Sequence, residues 1–137
     1  MTGAAAASAP HTHPIHVYYE DTDLAGIVYY ANYLKYIERA RTEYIRTLGV
    51  DQSALKAEHG VVFAVARIEA DYLSPAKFDD DLIVHTTPVK LTPARVVLSQ
   101  DVLRGTTTLF RAVVTLAALT ETGRPTRIPR LLTHKMQ

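Results

Sequence analysis

Hydrophobic residues recur at helical spacing over one long segment of the chain. From Tyr30 to Leu48 the apolar positions advance mostly in steps of three or four, which is the spacing of one buried face of an α-helix. Gly49 follows where a C-terminal cap belongs. The pattern predicts a helix over roughly residues 30–48 with a wide, aromatic face that includes Tyr30 itself.

A shorter helix is predicted directly after the long one, in the segment DQSALKAEHG. Asp51 suits its N-cap and Gly60 its stop. Beyond Gly60 the spacing changes to the alternation typical of strands, and Pro88 indicates an edge or a bulge. Four strands are predicted there, with a hairpin at Arg104-Gly105 between the last two: residues 61–73, 82–91, 96–103 and 107–119.

One more strand is predicted before the long helix, over residues 15–20, which are rich in β-formers. The order is then strand, long helix and four strands. This order is typical of an α+β fold in which an antiparallel sheet of about five strands closes around one helix. The end of the chain, RLLTHKMQ, has no pattern that assigns it to an element.

Length and composition limit the class of protein. The chain has 137 residues, 47% of them hydrophobic, so we expect one domain with a real core over residues 14–137, after a disordered lead-in over residues 1–13. The formal net charge of +1 argues against a dedicated nucleic-acid surface. There is no Cys, which excludes disulfides and thiolate metal sites and fits a cytoplasmic location, and no apolar run is long enough to cross a membrane.

A carboxylate precedes the long helix in the segment YYEDTDLAGIVYY. In such a loop Asp23 could simply shape a turn or cap a helix. However, the first N–H groups of a helix lack intrahelical acceptors and can polarise a bound carbonyl oxygen. A carboxylate beside such groups is a workable acyl-transfer site, so Asp23 and the backbone N–H of Tyr30 are the candidate catalytic groups.

Other common chemistries lose support because their motifs are absent. No G-x-S-x-G elbow, H-E-x-x-H pair, phosphate-binding P-loop or G-x-G-x-x-G fingerprint occurs in the sequence. We therefore predict no metal site and no bound cofactor. Glu58 and His59, at the end of the second helix, are interpreted as surface residues.

Basic residues are frequent in the later loops. They could form a solvated face or anchor a phosphorylated ligand. For the second role we select Arg95 and Arg127. The whole set is Lys90, Arg95, Arg104, Arg124, Arg127 and Arg130.

The segment YYEDTDLAGIVYYANYLKYIERARTEYIR resembles the opening motif of the hotdog-fold acyl-CoA thioesterases, of the 4-hydroxybenzoyl-CoA type and the Tol-Pal-associated YbgC type. YLSPAKFDDDLIV is similar to a later segment of the family. "AGIV" and Tyr30 resemble the 4-hydroxybenzoyl type, since many Tol-Pal-type relatives have His at that position. "EYIRTLGV" and "YLSPAKFDDD" are closer to the Tol-Pal type.

The resemblance implies a thioesterase that converts acyl-CoA and water to a carboxylic acid and free CoA, with CoA as part of the substrate. It implies that Asp23 acts as nucleophile or general base, that the Tyr30 N–H polarises the carbonyl, and that Tyr19 supports the site. It also implies a homodimer or homotetramer with active sites between subunits.

Two other functions stay open. The first is a non-catalytic hotdog module that binds acyl groups, an acyl carrier protein or an envelope complex of the Tol-Pal kind. The second is a dehydratase, which usually needs a His as acid or base. Before the unassigned end of the chain, the histidines of the expected fold are His16, His59 and His85, and none lies in a hydratase-like motif.

Overall fold

The computed structural model describes residues 9–137, so most of the predicted lead-in lies outside the described residues. Three helices and six strands follow one another, with a 3-10 turn at Tyr19–Asp21 after the first strand. The helices are α1 (Asn32–Thr47), α2 (Gln52–His59) and α3 (Arg130–Met136). The strands are β1 (His11–His16), β2 (Val61–Tyr72), β3 (Asp81–Leu91), β4 (Arg95–Arg104), β5 (Thr107–Thr120) and β6 (Pro125–Thr126).

All strands belong to one antiparallel sheet. Its order is β1-β3-β4-β5-β2, and the two-residue β6 pairs with β5. The predicted α+β class and the antiparallel sheet around one long helix are confirmed. The short β1, which contains Pro14, and the long β2 are the two outer strands.

The core lies between α1 and the sheet. The helix packs on β1, β3 and β4. Burying apolar side chains in this layer is the main favourable term in folding, at roughly 25 cal/mol per Å² removed from water. The buried helix residues are Tyr33, Tyr36, Ile37, Ala40, Arg41, Tyr44 and Ile45.

One polar group lies inside this core. Arg41 is 9% exposed, and its Nη1 donates to Gln100 Oε1 at 2.9 Å. Gln100 in turn donates through Nε2 to the Ile37 carbonyl at 2.9 Å and to Thr86 Oγ1 at 3.0 Å. Burial lowers the pKa of the Arg41 guanidinium. The network ties α1 to β3 and β4, because a buried polar group without partners is costly.

The first strand differs from its prediction. It runs over His11–His16 in register with β3, so residues 11–13 lie in the sheet, and their assignment to a disordered lead-in is wrong. Residues 19–20, predicted as strand, belong to the 3-10 turn Tyr19–Asp21 instead, because Asp21 Oδ2 accepts the Tyr18 N–H at 2.8 Å and turns the chain. β1 forms because β3 provides its hydrogen-bonding partner residues. Such a distant partner cannot be predicted from local β-propensity.

The later elements follow their predictions closely. α1 and α2 begin and end within two residues of the predicted bounds, and Gly49 and Gly60 both adopt positive φ as helix ends. The register shifts just after Pro88, which confirms the predicted bulge. The unassigned end of the chain is the helix α3, held by the buried Leu132 and Met136.

Candidate active site

Asp23 stands at the base of a tight hairpin. Thr22 and Val28 form a bridge, the Asp23 N–H donates to the Ile27 carbonyl at 2.9 Å, and the Gly26 N–H donates to the Asp23 carbonyl at 3.0 Å. The turn needs Gly26, whose φ of 80° is a left-handed value that other residues adopt only with strain. The hairpin therefore fixes where the Asp23 backbone lies.

The Asp23 carboxylate is exposed and only half engaged. Its Oδ1 accepts the Ala25 N–H at 2.9 Å, which is the Asx-turn contact expected of an Asp in a loop. Across residues 9–137, its other oxygen accepts no hydrogen bond. One carboxylate oxygen is thus available for a water or a substrate atom.

The chain enters α1 through a turn that leaves backbone donors free. The Tyr29 N–H donates to the Asp21 carbonyl at 2.9 Å, and the Asn32 N–H donates to the Tyr29 carbonyl at 2.8 Å. Between them, the N–H of Tyr30 donates to no group in the described part of the chain. The N-cap residue Ala31 offers no side-chain acceptor and has helical φ and ψ. The predicted donor, the Tyr30 N–H, is therefore available, two residues ahead of the first residue of α1.

The half-engaged carboxylate of Asp23 and the turn at Tyr30 line one cleft of about 380 Å³. Its walls are mostly apolar and aromatic. The Tyr30 ring, predicted as core, is 61% exposed and forms part of this wall, because the helix begins later than predicted. The lining residues are Asp23, Ile27, Val28, Tyr29, Tyr30, Tyr33, Tyr72, Leu73, Ser74 and Pro75.

Two tyrosines of the cleft, Tyr29 and Tyr33, have pKa values raised by their surroundings. The neighbouring Tyr30 hydroxyl, and to the smallest extent the charge of Asp23, raise the pKa of Tyr29. Burial raises the pKa of Tyr33, whose hydroxyl accepts the Ala76 N–H at 3.0 Å. Asp23 is the acidic residue of the lining. No histidine lines the cleft, and within residues 9–137 no three His, Asp or Glu side chains converge as metal ligands would.

Tyr19 lies outside the cleft. Its ring is 80% exposed and contacts Phe78, with the ring centroids 6.1 Å apart. Its carbonyl accepts both the N–H and the hydroxyl of Thr22, at 3.1 and 2.8 Å. The structure thus connects Tyr19 to the Asp23 hairpin through the backbone.

Arg95 and Arg127 lie near each other but far from Asp23 in the same chain. The Ile128 N–H donates to the Pro93 carbonyl at 2.8 Å, which brings Arg127 beside the β3–β4 turn. Arg95 pairs with Ala117 in β5, whereas the cleft lies near Phe110 of that strand. At about 3.3 Å per residue, the seven residues from 110 to 117 span roughly 23 Å.

Sequence reasoning missed several residues of the cleft. Tyr72 was interpreted only as part of a strand, and Tyr29 and Ser74 received no role. Tyr72 lies near the end of a predicted strand and opens the segment YLSPAKFDDD, whose family resemblance was the available signal. Its hydroxyl contacts the carbonyl of Tyr30, which is 42 residues away in the sequence, and no local pattern predicts such a contact.

None of the helices in the described range has the length and apolar character needed to span a bilayer.

Comparison with known proteins agrees with this fold. The Thioesterase superfamily matches residues 25–110. The acyl-CoA thioesterase YbgC of Haemophilus influenzae is 43% identical over 106 residues, which are 77% of this chain and 78% of the relative. The acyl-CoA thioester hydrolase YbgC of Escherichia coli O6:H1 is 40% identical over 97 residues, 71% of this chain and 72% of the relative.

A solved structure shows the same architecture. A probable thioesterase from Bartonella henselae superposes with a TM-score of 0.85 at 35% sequence identity, covering 88% of this chain and 100% of that one. The fold is the hotdog fold. The chain belongs to the Thioesterase superfamily, and the relatives above place it with members of the YbgC type.

Proposed function

We propose that this protein hydrolyses the thioester of acyl-CoA and that Asp23 is its catalytic carboxylate. One observation carries the catalytic assignment: a half-engaged carboxylate and an unengaged backbone N–H, that of Tyr30, line the same apolar cleft. The relatives named as acyl-CoA thioesterases support the substrate.

The two groups divide the reaction between them. The Tyr30 N–H donates to the carbonyl oxygen as negative charge develops there, which is the role of an oxyanion hole. Asp23 either takes a proton from the attacking water or attacks the carbonyl carbon itself to form an anhydride that water then hydrolyses. In both routes the carbon–sulfur bond breaks, CoA leaves as the thiolate and takes up a proton, and the acyl group leaves as a carboxylate. Tyr19 supports the hairpin through its carbonyl.

The test is thiol release from a panel of short-chain, long-chain and aromatic acyl-CoAs. We expect the wild type to turn over part of the panel and Asp23→Asn to lose about a hundredfold or more in kcat, the scale of an essential acid-base or electrostatic group. Asn keeps the shape and the acceptor oxygen for the Ala25 N–H, so the melting temperature should hold. Near-normal turnover by a folded Asp23→Asn would overturn the assignment.

We propose further that the protein is a homodimer formed across β2. This strand has 12 residues, contains no Pro and is the outer strand of the sheet, whereas β1 at the opposite edge is half as long and contains Pro14. A long unprotected edge is a template for pairing with another strand. Light scattering should give twice the 15.2 kDa of the chain, or four times if dimers pair again, and a monomer would contradict the proposal.

Such pairing would also bring the distant basic residues toward the cleft. Antiparallel pairing of β2 with a second copy sets the Val61 end of one strand beside the Tyr72 end of the other. Val61 is joined through β5 to the end of the sheet that carries Arg95 and Arg127. We therefore propose that these arginines bind the CoA phosphates of a substrate held in the partner's cleft.

Mixing two defective variants tests the shared site. Arg95→Glu/Arg127→Glu should raise KM for acyl-CoA, and Asp23→Asn should abolish turnover. In a heterodimer of the two, one of the two sites keeps an intact Asp23 and intact arginines, so an equilibrated mixture should regain about a quarter of the wild-type activity at low substrate concentration. Absence of recovery despite subunit exchange would assign the arginines to their own chain's site, and an unchanged KM would remove them.

The same panel separates the alternatives. Binding of acyl-CoA without turnover would favour the non-catalytic module, and turnover restricted to acyl carrier protein thioesters would replace the substrate. A dehydratase is disfavoured because the residues that line the cleft include no histidine. A cytoplasmic location, where acyl-CoA is present, is part of the same proposal.

A further inference from the structure

Tyr72 reaches from the sheet to the turn that precedes α1. It is the last residue of β2, and its hydroxyl donates to the carbonyl oxygen of Tyr30 at 2.9 Å. The residue that presents the proposed oxyanion donor is therefore held by a side chain of another element.

The hydrogen bond from Tyr72 takes the place of a helical hydrogen bond that the Tyr30 carbonyl does not accept. In a regular helix a carbonyl accepts the N–H four residues later. Here the Leu34 N–H donates to the Ala31 carbonyl at 3.2 Å, and in residues 9–137 the Tyr30 carbonyl accepts only the Tyr72 hydroxyl. Without it, the Tyr30 backbone would lack a tether on its carbonyl side.

The Tyr72 side chain is itself well fixed. Tyr72 pairs with Phe110 of β5, and the N–H groups of the next two residues both donate to the Leu109 carbonyl, at 2.8 and 3.1 Å. Its ring packs edge-on against Phe110 and Tyr33, with centroids 5.0 and 5.6 Å away. Partial burial raises the pKa of Tyr72, so its hydroxyl remains a donor at neutral pH.

We propose that Tyr72 is a positioning residue: its hydroxyl holds the carbonyl of Tyr30, and thereby the backbone torsions of that residue, so that the Tyr30 N–H, in the preceding peptide group, meets the developing oxyanion. The inference rests on the proposed function. It concerns the precision of the oxyanion hole, since small misplacements of a catalytic group reduce the rate of the chemical step more than they reduce substrate binding.

The first experiment removes only the hydroxyl, with Tyr72→Phe. We expect kcat to fall about tenfold, less than the loss of a whole oxyanion donor, while KM changes less than twofold. Tyr44→Phe is the control: it removes the hydroxyl of a buried tyrosine near the opposite end of α1 and should leave kcat unchanged.

Two substrate analogues separate positioning from simple packing of the cleft wall. A ketone analogue, with CH2 in place of sulfur, keeps the carbonyl that the oxyanion hole senses, and a thioether analogue lacks it. Tyr72→Phe should bind the ketone several-fold more weakly and the thioether as well as the wild type does. Equal loss for both analogues, or a kcat within twofold of the wild type, would overturn the proposal.

A second variant keeps the proposal testable if Tyr72→Phe folds poorly. Replacing Tyr72 with 3,5-difluorotyrosine retains the ring and gives a hydroxyl that ionises near neutral pH. Its kcat should fall as the pH rises through that ionisation, relative to wild type, and a parallel profile would contradict the role. Failure here is distinguishable from failure of the proposed function, because the latter would show as an active Asp23→Asn.

Discussion

The starts of α1 and α2 use an aspartate in two different ways. At α2 the Asp51 carboxylate accepts the N–H groups of Ser53 and Ala54 at 2.8 and 3.2 Å, so the helix end is capped by its own sequence. At α1 the N-cap residue is Ala31, and the nearby carboxylate of Asp23 engages only the Ala25 N–H.

This difference between the two helix ends indicates which of them can bind and activate a substrate. Asp51 lines a larger cleft, of about 630 Å³, than Asp23 does, but its carboxylate already accepts two first-turn amides of α2. A capped helix end is more stable and has fewer donors left for a ligand. The α1 end forgoes that stabilisation and keeps both an acceptor and a donor available, which is what an acyl-transfer site needs.

Among changes that leave the Asp23 and Asp51 contrast intact or shift it, the largest effect should come from Gly26, in the hairpin that holds Asp23. Gly26→Ala forces a residue with a Cβ into a φ of 80°, and we expect a loss of about 1 kcal/mol in stability together with a drop of about tenfold in kcat as the hairpin shifts. Gly123→Ala is a matched control, since its φ is 85° and neither glycine has a neighbour within 4 Å of an added Cβ. Equal kcat values for the two variants would show that hairpin geometry does not matter to the site.

A smaller effect, on stability alone, should follow at the capped helix. Asp51→Ala should reduce the free energy of unfolding by about 1 kcal/mol, the usual value of an N-cap, with kcat unchanged. Asp51→Ser, which can still cap, should restore most of the loss in a thermal melt. A drop in kcat for Asp51→Ala would remove the contrast between the two helix ends.

The smallest effect should appear at a third arrangement of aspartates, which holds β1. His16 Nδ1 lies 2.7 Å from Asp81 Oδ1, and His16 Nε2 lies 2.9 Å from Asp79 Oδ1. The hydrogen bond to Asp81, and then that to Asp79, raise the pKa of His16 above its ordinary value of 6.5. This stabilisation is complete below about pH 6.5, the value in the unfolded chain, and is lost as the pH rises through the raised value.

The melting temperature of wild type should therefore exceed that of His16→Gln at pH 6, and the difference should be smaller at pH 8.5. The groups facing His16 are the two carboxylates and the ring of Tyr18. A difference that stays constant over this range would mean that His16 is not charged in the folded state.

The elements that the sequence predicted are those whose signals are local. Gly49, Gly60 and Asp51 end or begin helices through contacts within four residues, so their roles could be inferred from the sequence. β1 and α3 are defined by β3 and by buried contacts with distant segments, and their bounds were predicted wrongly or not at all.

The candidate site divides in the same way. Asp23 and the Tyr30 N–H belong to one short segment and could be predicted together, and the structure places both at one cleft. Tyr72 acts across 42 residues of sequence and could not be predicted. The bulge that shifts the register of β2 between Val65 and Arg67 also interrupts the single alternation predicted for that strand.

The buried contact between Arg41 and Gln100 has a consequence for engineering the cleft at the start of α1. An apolar helix face can slide or rotate on an apolar sheet at small cost, but here any such movement would leave a guanidinium without its acceptor in the core. The axial position of α1 is thereby specified from its middle, well away from Tyr30. Under the proposed function, variation of the aromatic cleft wall should therefore change which acyl groups are accepted, while the position of the helix end stays the same.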